Sequence, residues 1–96
     1  MWARVATFEG ADIERLRREV NRRPPGEMPE GMRGAFGLGD AESGRQLFIT
    51  LFDTREAIEA AEPTFERMGD EISEDVRGKR VSKDYYEVML GVVQLT

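Results

Sequence analysis

The stretch Arg45–Phe52 (RQLFITLF) constrains this chain more than any other. Its residues alternate as in a strand, but both faces are apolar. Leu47, Ile49 and Leu51 fill one face; Gln46, Phe48, Thr50 and Phe52 fill the other. A strand of this kind needs cover on both sides of its sheet. It predicts a sheet with helices on one face and a further layer on the other.

The flanking segments supply the rest of that sheet. Met1–Glu9 reads as a strand, with Trp2, Arg4, Ala6 and Phe8 on one side and Ala3, Val5 and Thr7 on the other. Gly10 ends it, and Asp12 can cap a helix carrying Ile13, Leu16 and Val20 at helical spacing. Glu14–Arg18 and Glu19–Arg23 are i,i+4 pairs, and Pro24 and Pro25 end the helix. Pro24–Gly31 is a connection. Met32–Gly39 reads as a second strand with Met32, Phe36 and Leu38 on one face. Its glycines permit a bulge or a close approach by a neighbour. Asp40–Gly44 (DAESG) is a hairpin turn into Arg45–Phe52.

Asp53 or Thr54 caps the next helix, and Asp53-x-x-Glu56 has capping-box form. Ile58, Ala61, Phe65, Met68 and Ile72 make one apolar stripe. Pro63 interrupts it, either opening a new helix at its first turn or kinking a single one; the favoured reading is a short segment before Pro63 and a longer one after it, with Gly78 as the stop. Val81–Leu95 reads as a last strand, with Tyr86, Val88, Leu90 and Val92 opposed to Tyr85, Glu87, Met89 and Val93.

The order β-α-β-β-α-β predicts an α+β, ferredoxin-like split sheet. Residues 1–96 then form one domain of four antiparallel strands, with both helices on one face. The other face carries large apolar side chains and needs a cover. A second copy packed sheet to sheet supplies one, so the chain is expected to be a homodimer.

Composition narrows the chemistry. Cysteine and histidine are absent, so there is no thiol nucleophile, zinc knuckle, imidazole base or histidine haem ligand. Fourteen basic residues against nineteen acidic ones give a net charge of −5, which disfavours nucleic-acid partners. The charge is uneven: Asp12–Arg23 holds three acids and five arginines, and Asp53–Arg77 nine acids and three arginines. No apolar run reaches the ~18 residues of a membrane span, and the start lacks the layout of a signal peptide. The expectation is a cytoplasmic protein with no metal and no cofactor.

Four residues are candidates for ligand binding. Trp2 and Arg4 share a strand face, and a buried arginine there needs a carboxylate, such as Glu87, or a group from a second copy. Tyr85 and Tyr86 face opposite ways, so one belongs to the core and the other can line a pocket. The acidic pairs Asp70-Glu71 and Glu74-Asp75 read as a solvated face. Gly37-Leu38-Gly39 lacks the third glycine of a dinucleotide fingerprint.

Several short segments, in order, carry a family resemblance. They are Met1–Val5 with Phe8-Glu9-Gly10, Met28-Pro29 with Met32-Arg33-Gly34, Ser43-Gly44-Arg45, Thr50–Ala57 (TLFDTREA) and Tyr86-Glu87-Val88. In these the chain resembles the dimeric α/β-barrel superfamily, and within it small antibiotic-biosynthesis-monooxygenase-like domains. The resemblance implies a homodimeric barrel with a pocket between each sheet and its helices. It also implies a small apolar or aromatic ligand or, alternatively, cofactor-independent oxygenation of an electron-rich aromatic substrate. The chain departs from haem-degrading relatives, having no histidine and no asparagine on the first strand. Phe52 stands where relatives often have tryptophan. No catalytic set carries over residue by residue. A protein-interaction module without a ligand is the third expectation.

Overall fold

The computed structural model describes residues 1–22, 28–89 and 91. The elements run β1 (Trp2–Glu9), α1 (Ile13–Arg22), β2 (Met32–Asp40), β3 (Arg45–Phe52), α2 (Arg55–Glu71), α3 (Glu74–Arg77) and β4 (Lys79–Glu87). The sheet order is β2-β3-β1-β4 and every pairing is antiparallel. This α+β arrangement is compatible with the expected ferredoxin-like split sheet. The proposed stop at Pro24-Pro25 and the outer positions Leu90, Val92, Val93 and Leu95 lie outside the described residues. Within them, β4 ends at Glu87, and the Val88 amide then donates to the Met1 carbonyl (2.9 Å).

Local chemistry sets the element ends. Asp12 Oδ1 accepts from the Arg15 amide (3.2 Å) and opens α1. Thr54, not Asp53, caps α2, its Oγ1 accepting from the Ala57 amide (3.1 Å). Asp53 is occupied instead by Arg33, whose Nε donates to it at 2.7 Å. The hairpin closes through Asp40, which accepts from the Glu42 amide (3.0 Å) and the Ser43 hydroxyl (3.0 Å). On α1, ion pairs form at i,i+3, Glu14 with Arg17 and Glu19 with Arg22. The expected partner Arg23 lies outside the described residues. Val20 is 54% exposed, so only Ile13 of that stripe is buried.

Pro63 does not split α2, which runs unbroken from Arg55 to Glu71. Proline removes one helical hydrogen bond and costs about 3 kcal/mol. Here it lies on the exposed side of the helix, while Ile58, Ala61 and Phe65 are buried on either side of it. Burying Ile58 and Phe65 contributes roughly 1.5–3 kcal/mol each, enough to hold both halves in one line. The break comes later, at Ile72-Ser73. There Arg77 donates through Nε to the carbonyls of Gly69 (2.8 Å) and Ile72 (3.0 Å), tying α3 back to α2. The apolar stripe ends with Phe65, since Met68 is 43% exposed. Gly78 stops α3 with φ 83°, as expected.

The sheet has two unlike faces. Trp2, Arg4, Ala6 and Phe8 lie across from Phe52, Thr50, Phe48 and Gln46 and face the helices. The core there is Phe52, Ile58, Ala61 and Phe65, with Trp2, Met32, Phe48 and Tyr85 packed against it. Phe65 meets Phe48 and Phe52 edge to face at 6.3 and 6.0 Å. Ala3, Val5, Thr7, Leu47, Ile49, Leu51, Phe36 and Leu38 form the opposite, open face, which no helix or strand among the described residues covers. Met32 does not share it. A register shift between Met32 and Gly34 turns Met32 toward the helices, opposite the expected side.

Candidate functional site

Three of the four sequence candidates come together. Arg4, on central strand β1, points under α2 with its side chain only 4% exposed. Glu87 is not its partner. The carboxylate comes from Glu62, one turn after Ile58 on the buried side of α2. Arg4 Nε donates to Glu62 Oε1 at 2.6 Å and Nη2 to Oε2 at 3.4 Å. The Tyr85 hydroxyl donates to Oε1 at 3.0 Å, and Lys83 Nζ to Oε2 at 3.0 Å. The Arg4 guanidinium also lies 4.5 Å from the centre of the Phe65 ring.

Register explains the assembly. Arg4 lies across from Tyr85, Ala6 from Lys83 and Trp2 from Glu87, so alternate β4 residues point to the helix side with Arg4. Tyr86 points the other way, 56% exposed on the open face, and takes no part in this site. Trp2 enters from the end. The Arg55 guanidinium lies over the Trp2 ring (5.8 Å) and the Tyr85 ring (5.6 Å), with Glu59 at 3.6 Å. Arg55, Lys83, Asp84 and Tyr85 line a surface concavity of about 320 Å³.

The electrostatics favour a closed cluster. Burial opposes the charge on Glu62, but the hydrogen bonds from Arg4, Lys83 and Tyr85 hold its carboxyl below the usual glutamate range. Burial and the bond to Glu62 push the Tyr85 hydroxyl upward. With two donors on each oxygen, Glu62 has no lone pair left for a general base. Tyr85 is held as a neutral donor. The cluster anchors α2 to the sheet rather than activating a nucleophile.

Sequence reasoning missed Glu62, Lys83 and Arg55. Glu62 carried a readable signal: a carboxylate four residues after Ile58 and three before Phe65, on the stripe that faces the core. Among the described residues no group of three or more metal-ligating side chains is placed to hold an ion, and no helix is long and apolar enough to cross a membrane. No family model matches the chain, and no curated protein matches it.

Proposed function

We propose that this chain works as a homodimer, associating through the open face of its sheet in a self-assembling interaction module. The observation that carries the reading is the contrast between the two faces. The helix-covered face is filled by aromatic side chains and a saturated ion cluster. The open face presents Phe36 at 38%, Leu38 at 51% and Tyr86 at 56% exposure around half-buried Val5, Leu47, Ile49 and Leu51. Isolated chains rarely leave large apolar side chains grouped in this way on one uncovered face. Face-to-face sheets are also what the resemblance to dimeric α/β-barrel domains implies.

Light scattering at micromolar concentration tests this. The expected mass is at least twice the 10.9 kDa of one chain. Tyr86→Glu places a charge in the interface at an exposed position and should lower the mass with the fold intact. A single-chain mass for the unaltered protein overturns the proposal.

A second reading, that the dimer holds a small aromatic molecule, is favoured by the concavity beside Tyr85 and Arg55. Trp2 is the sole tryptophan and lies next to that concavity through Arg55, so its emission reports binding directly. Saturable quenching by hydroquinones or anthrones supports the reading. Oxygen uptake with the same compounds then separates a binder from a cofactor-independent oxygenase.

A further inference from the structure

The two edges of the sheet are built differently. β4 carries Lys79, Arg80, Lys83, Asp84 and Glu87, the kind of charged edge that discourages strand addition. β2, the opposite edge, has charges only near its ends, Arg33 and Asp40, and six uncharged residues between them (Gly34–Gly39). Every residue from Ala35 to Asp40 is exposed. Among the described residues no strand pairs with the outer side of β2. The strand is also long, at nine residues, and its three glycines leave the outward backbone groups uncrowded. A long, charge-free edge is a template for another strand.

We infer that β2 pairs with β2 of a second copy, antiparallel, across a two-fold axis normal to the sheet. Charge complementarity selects this occupant, since Arg33 gives only its Nε to Asp53 and its side chain stays 61% exposed, and Asp40 is exposed beyond its contacts within the turn. Antiparallel self-pairing sets the Arg33 end of one strand beside the Asp40 end of the other, and the uncharged centres meet. The axis keeps both helix layers on one side, so the open apolar faces join into a single eight-stranded surface. This contact is independent of the face-to-face one. Together the two give an assembly of four chains.

Gly37 supplies the test. It points to the helix side, across from Phe48, and a Cβ there meets only the Leu47 carbonyl oxygen at 3.8 Å. Gly37→Lys therefore fits the single chain and sets an inward-pointing charge on the edge without touching the open face. Ala35→Lys, also exposed and on the same side, is the second variant. The expected result is a twofold fall in mass by light scattering for both, with unchanged circular dichroism. A mass unchanged from the unaltered protein overturns edge pairing. Tyr86→Glu probes the face alone: if it lowers the mass while Gly37→Lys does not, the dimer reading stands and this one fails. If only the edge variants lower the mass, edge pairing stands and the face reading fails.

Discussion

Arg4 and Glu62 are fifty-eight residues apart in sequence and meet at 2.6 Å beneath α2. Arg4 is 3% exposed, so that carboxylate rather than water compensates its buried charge. Removing one partner of a buried pair costs about 3–5 kcal/mol because the other charge is left uncompensated. Glu62→Gln keeps the shape and removes the charge. It should cost about 3 kcal/mol and lower Tm by roughly 12–24 °C in thermal melts followed by circular dichroism. Lys83→Ala, at the exposed rim of the same cluster, should cost less than about 1 kcal/mol.

The pH dependence has a definite sign. Desolvation raises the Glu62 pKa, but hydrogen bonds from Arg4, Lys83 and Tyr85 more than offset it, while Glu66 is held low by Arg80 and Asp53 by Arg33. Their unfolded counterparts titrate near pH ~4. The unfolded chain therefore binds more protons as pH falls below about 5, and stability is lost through the lowered folded values. With no histidine, stability should be flat between about pH 6 and 8. Urea midpoints across pH should show a plateau and then an acid decline, and Glu62→Gln should make that decline shallower.

Thr50 sits fully buried on β3, and its hydroxyl is a side-chain oxygen without a partner among the described residues. An unpaired buried hydroxyl costs about 1–3 kcal/mol. Thr50→Val keeps the branched shape and removes the hydroxyl. It should raise the urea midpoint, equivalent to a gain of about 1 kcal/mol.

Two glycines should respond in opposite directions to alanine. A Cβ at Gly78 would lie 2.5 Å from the Glu9 carbonyl oxygen, at a backbone φ of 83°. Gly78→Ala should cost at least about 2 kcal/mol, by strain and by loss of the α3–β1 contact. Gly69 lies inside α2, and nothing stands within 4 Å of the added carbon. Gly69→Ala should stabilise by about 0.5–1 kcal/mol. Melting curves of the two variants, run side by side, check both.

Much of the fold was legible because its causes are local. Alternation marked β1 and β3, Asp12 and Gly78 marked helix ends, and the Asp40–Gly44 turn marked the hairpin. The site was half legible. Trp2 and Arg4 share a face, and Tyr85 and Tyr86 oppose each other, as period-two strands require. Which tyrosine joins Arg4 depended on the β1–β4 register, which no local pattern encodes. The partner of Arg4 depended on how α2 lies over the sheet.

The amino-acid sequence by itself determined the order of elements, the apolar character of both sheet faces and the absence of imidazole and thiol chemistry. These follow from residue type and spacing within single segments. Tertiary structure decided that Pro63 lies within one helix, that Met32 turns inward at a bulge, and that Glu62 closes the Arg4 cluster. Each of these is settled by contacts between segments distant in the chain. There the burial of Ile58 and Phe65, a one-residue shift in pairing, or a charge without water outweighs local preference.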